Sequence, residues 1–279
     1  MFCCEGFTAD GALLYELGRP SYIDEAIEKI VDICALRKIS NSKILELGAG
    51  TGKFTTSFNS FISKTGLRQR ISYIATEPSD GFLKSNEELN ISKFGSQYLS
   101  FKKGTGSSIP EESKTLDCVI AAQAFHWMAN ESTLIEVNRV LKPRAPIILL
   151  WNTYDYEANK WMKQIDDEIL SPAYRLAGAP RQQDRTWQQC FQTSKAVNLF
   201  DSPLDFWYAR HTHKLTREGI LARILSTSVI FEQSPEEQSR TREHLASILN
   251  EHRDLEPSRK TGIFNLDYVV EVAWTKSKI

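Results

Sequence analysis

Two carboxylates and a run of glycines are the residues of this chain best placed to do chemistry. The segment Ile44-Leu45-Glu46-Leu47-Gly48-Ala49-Gly50-Thr51-Gly52-Lys53-Phe54 puts three glycines directly after a short apolar stretch. A backbone without Cβ can turn sharply there and approach a ligand closely. A phosphate-cradling P-loop needs Ser or Thr after its lysine, and Lys53 is followed by Phe54. The dinucleotide fingerprint would put its third glycine where Lys53 stands, and a carboxylate at Glu46 would repel a pyrophosphate. Glu46 suits instead a ligand that carries a positive amino group and a sulfonium. Further on, Glu77 in Ala75-Thr76-Glu77-Pro78-Ser79 can accept hydrogen bonds from both hydroxyls of a ribose. His126, in Gln123-Ala124-Phe125-His126-Trp127, is of a residue type suited to remove a hydroxyl or enol proton. The same ring could instead position an acceptor by hydrogen bonding, or orient its own loop. These three readings stand side by side.

Those residues need elements that hold them at one end of a sheet. Apolar residues at Ile23, Ala26, Ile27, Ile30, Val31 and Cys34 follow helical spacing over 22–37. Strand-like stretches at 43–47, 71–75, 98–101, 116–122 and 147–151 alternate with helical ones at 54–62, 79–89 and 132–141. Strands alternating with helices predict an α/β fold with a mainly parallel sheet, which binds ligands beyond the carboxyl ends of its strands. The second half differs. Residues 154–200 are rich in Trp, Gln, Tyr and Arg, and stretches at 217–229 and 235–252 read as helices. Segments 204–215 and 266–276 read as late strands of the same sheet. The expected organisation is a single domain over 1–279, with a cofactor-binding core at 40–153 and a helical cover, or lid, at 154–203 and 216–262.

Composition narrows the partners. Lys+Arg 34 against Asp+Glu 35 gives a net charge of −1, so no global positive field recruits nucleic acid or an anionic membrane. The longest apolar run, 145–151, is far shorter than the roughly 18 residues a membrane span needs. Met1-Phe2-Cys3-Cys4-Glu5-Gly6 shows no basic start followed by an apolar core, so the expected location is cytoplasmic. Five cysteines, odd in number and without C-x-x-C spacing, predict neither a disulfide framework nor a structural zinc site. His211-x-His213 would project on one strand face but has no third ligand nearby in the sequence. A small molecule is the expected partner, and no metal is expected.

Taken together, these stretches resemble the class I S-adenosylmethionine-dependent methyltransferases, and within them a subgroup similar to trans-aconitate methyltransferases and their fungal relatives. The resemblance is carried in order by Tyr15-x-x-x-Arg19-Pro20-x-Tyr22, Glu46-x-Gly48-Ala49-Gly50-Thr51-Gly52, Glu77-Pro78-Ser79, 121–127 and Glu136-x-x-Arg139-Val140-Leu141-Lys142-Pro143. It implies a Rossmann-like seven-stranded sheet with the last strand antiparallel, and S-adenosyl-L-methionine as cofactor. It implies that Glu46 and the loop Gly48, Ala49, Gly50, Thr51, Gly52 hold the cofactor's amino acid part, while Glu77 with Pro78 holds its ribose. Gly106 and Ser107 stand where relatives flank the adenine with a small residue and an acid; Gln123, Tyr15 and Arg19 complete the expected cofactor contacts. Tyr22, Trp127 and Trp151 are expected to wall the acceptor pocket.

Methyl transfer from a sulfonium is an in-line displacement, so alignment in a dry site is the main task. The fourth strand ends where the acceptor should lie. Adenine and amide N-methyltransferases carry an Asn/Asp-Pro-Pro-Tyr-like turn there, and catechol-type enzymes a magnesium-binding carboxylate cluster. Ala121, Ala122 and Gln123 supply neither. The expected activity is metal-free O-methylation of a small organic acid or secondary metabolite, with His126 as the candidate catalytic residue. A cofactor-binding scaffold without transfer activity is the alternative; a nicotinamide dehydrogenase is opposed by Lys53 and Glu46.

Overall fold

Sheet order follows from which strands can be reached by short crossovers. The computed structural model describes residues 18–278. Seven strands, β1 (Ser42–Leu47), β2 (Ile71–Glu77), β3 (Leu99–Lys103), β4 (Cys118–Ala122), β5 (Pro146–Tyr154), β6 (Asp205–Leu215) and β7 (Phe264–Lys276), lie in the order β3-β2-β1-β4-β5-β7-β6. The pairs β1/β2, β1/β4, β2/β3 and β4/β5 are parallel. Strand β7 runs the other way: Ser277 N donates to Ala145 O at 2.9 Å and Asp155 N to Asp267 O at 3.0 Å, so numbering rises on β5 as it falls on β7. The order reverses between β1 and β4, the switch point at which open α/β sheets bind ligands.

By its contacts the chain divides into two units. The larger comprises residues 21–152, 182–209 and 270–278. In it α1 (Asp24–Ile33) buries Ala26, Ile27, Ile30 and Val31, and places Asp24 and Glu25 in its first turn, where negative charge meets the positive end of the helix dipole. Helix α2 (Lys53–Lys64) buries Phe54, Phe58 and Phe61 on the same sheet face as Ile44 and Tyr73. Helix α3 (Asp80–Phe94) begins where the Ser79 side chain accepts from Phe82 N, and ends at Gly95, φ 76°. Its only buried residues are polar, Asn86 and Asn90. Helix α4 (Glu131–Val140), capped by Asn130, packs Leu134 and Val137 on the opposite face with Phe125, Trp151, Trp187 and Phe191. A short helix, α5 (Ala196–Leu199), belongs to the same layer. The buried Glu271 on β7 is held by Arg185, with Gln182 donating at 3.2 Å.

Among the described residues the smaller unit comprises 18–20, 153–181 and 210–269, with its own apolar cluster. Helix α6 (Lys160–Ile165) continues through a π-helical stretch, Asp166–Leu170, into α7 (Ser171–Ala177). Widening the helix to accommodate an extra residue per turn breaks the 3.6-residue periodicity, which is why this region gives only a weak helical pattern in sequence. Helices α8 (Arg217–Leu225), α9 (Ser228–Phe231), α10 (Pro235–Glu251) and α11 (Glu256–Thr261) complete it. Helix α10 starts with a capping box between Ser234 and Glu237 and a proline at its first position, both strong start signals. No helix among the described residues is long and apolar enough to cross a membrane.

Candidate active site

The glycine loop leaves β1 at Leu47 and is pinned to the neighbouring strand, because Gly48 N and Ala49 N both donate to Thr76 O at 2.9 Å. Gly48, Gly50 and Gly52 all have positive φ, 73°, 55° and 91°. At Gly52 no other residue would serve: a Cβ would fall 2.2 Å from Asn86 Oδ1 and 2.8 Å from Asn90 Nδ2. The buried polar residues of α3 thus lie directly against the loop. Asn86 donates to Thr55 Oγ1 at 3.2 Å, and Asn90 donates to Asn86 Oδ1 and accepts from Thr56 Oγ1.

That network ends on Glu46. Its Oε2 accepts from Thr55 Oγ1 at 2.5 Å and from Tyr73 OH at 2.7 Å, and the side chain is only 1% exposed. Burial raises its pKa from 4.5 to about 7; the two hydrogen bonds oppose this, and the Glu77 carboxylate adds to the rise. Glu46 is therefore a buried carboxyl tied beneath the loop, within electrostatic reach of the second acid.

Glu77 closes β2. Its Oε2 accepts from Gly50 N at 3.0 Å and its Oε1 from Ser79 N at 3.1 Å. Each oxygen thus spends one acceptor direction on the backbone and keeps another. Burial pushes its pKa up against these two hydrogen bonds. Thr51 Oγ1 is buried and has no hydrogen-bond partner among the described residues, an unmet donor and acceptor within the loop. A carboxylate with capacity for two hydroxyls, an orphaned hydroxyl and a loop of positive-φ glycines fit a cofactor with an amino acid end and a ribose.

Gly106 lies in the turn that Thr105 and Ser108 close after β3. A Cβ at Gly106 would sit 2.7 Å from Thr133 Oγ1 and 3.0 Å from Met128 Sδ, and one at Gly48 would sit 2.8 Å from Ala124 Cβ and 3.2 Å from Met128 Cε. Met128 therefore reaches both the first glycine of the loop and the β3 turn. Sequence reasoning missed it, since a lone methionine carries no motif. Ser107 is exposed, with Oγ 3.5 Å from Thr105 Oγ1, and Pro78 is exposed beside Glu77.

At the end of β4, Gln123 adopts φ 57°, a left-handed conformation that non-glycine residues rarely hold. Its backbone N donates to Leu150 O and its Nε2 to Asn152 O, both at 2.8 Å, so β5 holds it there. The turn that follows, Phe125–Trp127, carries His126. Trp151 Nε1 donates to His126 Nδ1 at 3.2 Å. An indole N–H can only donate, so Nδ1 accepts and the neutral ring carries its proton on Nε2. Trp151 is 0% exposed and tilted against Trp187 at 4.7 Å, whereas Trp127 is 37% exposed beside the imidazole.

Tyr22 packs edge-on against Phe54 at 5.1 Å and is 8% exposed. In the smaller unit, Arg19 Nη2 donates to Ser226 O at 3.3 Å, and His211 stacks on Tyr268 at 5.4 Å. Tyr15 lies outside the described residues.

A family model described as a methyltransferase domain matches residues 45–149, from within β1 to within β5. Over 155 residues the chain is 33% identical to the uncharacterized methyltransferase Mb3374 of Mycobacterium bovis, a match covering 56% of this chain and 55% of that one. The chain thus spans about half the length of that relative. Over 236 residues it is 30% identical to the uncharacterized methyltransferase-like C25B8.10 of Schizosaccharomyces pombe, covering 84% of this chain and 82% of that one. The fold of the YcgJ protein of Bacillus subtilis is similar, with a TM-score of 0.54 at 12% identity over 92% of this chain and 100% of that one. With this fold, this glycine loop and these relatives, the chain belongs to the class I S-adenosylmethionine-dependent methyltransferases.

Proposed function

We propose that this methyltransferase acts on an oxygen of a small organic acid or secondary metabolite, without a metal ion. S-adenosylmethionine supplies an electrophilic methyl group on a positively charged sulfur. The loop 48–52 and Glu77 hold that cofactor, Glu77 through its ribose hydroxyls. The observation that carries the acceptor reading is the Trp151–His126 hydrogen bond. It occupies the lone pair a general base would use and fixes Nε2–H as a donor. A donor suits an acceptor that already bears negative charge, such as a carboxylate, which needs no base. His126 therefore orients the acceptor oxygen, and Trp151 holds His126.

The same reading takes 1–279 as one methyltransferase domain and assigns acceptor selectivity to residues 154–200. Trp127, exposed beside His126, offers apolar surface to the acceptor. A panel of carboxylic acids, phenols, amines and nucleic acids, scored by S-adenosylhomocysteine release and by the mass of the product, tests this. Methyl esters from the acids are expected; methylated nitrogen as the main product would overturn the reading.

A further inference from the structure

Among the described residues of the smaller unit, one cation has no carboxylate partner. Arg223 on α8 is only partly exposed, and among the described residues it forms no ion pair. Its contacts are weak: Nε donates to Tyr268 OH at 3.3 Å, Nη1 donates to Thr227 Oγ1 at 3.4 Å, and Cζ lies 5.0 Å over the Tyr154 ring. Arg181 in the same unit differs, since Asp166 meets its guanidinium at 2.5 Å. Arg223 has five N–H donors and uses two, both at long range.

Tyr154 adds a second unmet group. The residue is 8% exposed and its ring packs on Tyr268 at 5.3 Å, yet among the described residues its buried hydroxyl has no hydrogen-bond partner. Burial pushes its pKa well above the usual phenol value, so the hydroxyl keeps its proton and stays a donor. The chain at Gly18 presses against Arg223, since a Cβ there would lie 2.4 Å from Arg223 N, and the charge of Arg19 acts on both Tyr154 and Tyr268. Positive charge, spare N–H groups and a protonated hydroxyl thus gather with no carboxylate supplied by the described chain. Holding a guanidinium in such surroundings without an anion is unfavourable, and aromatic contact recovers only part of that cost.

We propose that Arg223 and the Tyr154 hydroxyl form an anion-binding site that takes the carboxylate of a small-molecule ligand. The planar guanidinium matches the two oxygens of a carboxylate, and the phenol supplies a further donor.

The test is equilibrium binding of benzoate, with methyl benzoate as the neutral control and inorganic phosphate as the competing anion, each in the presence and absence of S-adenosylhomocysteine. The wild-type chain should bind benzoate saturably and the ester about tenfold more weakly or worse. Arg223→Gln should weaken benzoate by about tenfold or more, with Arg223→Lys intermediate. Tyr154→Phe, which keeps the ring and its packing, should weaken benzoate about three- to tenfold. S-adenosylhomocysteine should bind all four proteins alike. Benzoate bound equally well by wild type and Arg223→Gln would overturn the site, as would phosphate saturating it in place of benzoate. A loss of S-adenosylhomocysteine affinity in step with benzoate would overturn it too, by assigning Arg223 to the cofactor. Should the binding results hold while no acid is methylated, the site would stand and the organic-acid reading would fall.

Discussion

Trp151 Nε1 reaches His126 Nδ1 at 3.2 Å, and this one hydrogen bond fixes which nitrogen of the imidazole carries the proton. The donor, Trp151, is a fully buried residue of β5, while the acceptor sits on the turn after β4. A rigid core residue thus sets the chemistry of a surface turn.

Replacing His126 by Gln and by Ala separates donor from base. Gln keeps an N–H donor, so acceptor turnover should stay within about tenfold of wild type, while Ala should lose more. A general base would instead cost about 100-fold or more in both variants. Steady-state kinetics with a saturating cofactor checks this.

Trp151→Phe removes the indole donor and part of a ring packed on Trp187 at 4.7 Å. Stability should fall by about 1–3 kcal/mol from lost packing and the lost hydrogen bond. KM for the acceptor should rise as His126 loses its anchor, with S-adenosylhomocysteine affinity unchanged. Chemical denaturation and titration calorimetry read the two effects separately.

Glu46 predicts a pH dependence. Its pKa in the folded chain is about 7 against an ordinary 4.5, so the folded chain binds this proton more tightly than the unfolded chain. This contribution is fully present below pH 4.5, declines as pH rises through 4.5–7 and is lost above 7, amounting to about 3 kcal/mol. Glu46→Gln keeps an acceptor oxygen for Thr55 and Tyr73 and should abolish this dependence, so the variant gains on wild type as pH rises from 5 toward 8. A cationic cofactor favours the ionised form, so wild-type affinity for S-adenosylmethionine should increase between about pH 6 and 8 and that of Glu46→Gln should not. Denaturation and binding curves at several pH values test both statements.

Much of this was legible in the sequence, for identifiable reasons. Strands such as 43–47 and 71–75 are apolar runs between helical stretches, and a pattern of that kind survives folding because burial dictates it. The glycine loop could be read because positive φ and close approach select one residue type. Other features depend on partners far apart in the chain. Trp151 and His126 are separated by 25 positions, and Asn86 and Asn90 look like solvated helix residues until Gly52 is seen against them. The left-handed Gln123 breaks the local rule that would have placed glycine there, because β5 supplies the hydrogen bonds that hold it. The π-helical turn at Asp166–Leu170 erased the periodicity needed to find it.

The central claim is that Glu77, held by Gly50 and Ser79, grips the cofactor's ribose. Titration calorimetry of S-adenosylhomocysteine into wild type and Glu77→Ala tests it most directly. One saturable site should appear in wild type, weakened about 10- to 100-fold in Glu77→Ala with an unchanged circular dichroism spectrum, as expected for losing hydrogen bonds to a charged group. Equal affinity in the two proteins would contradict the account.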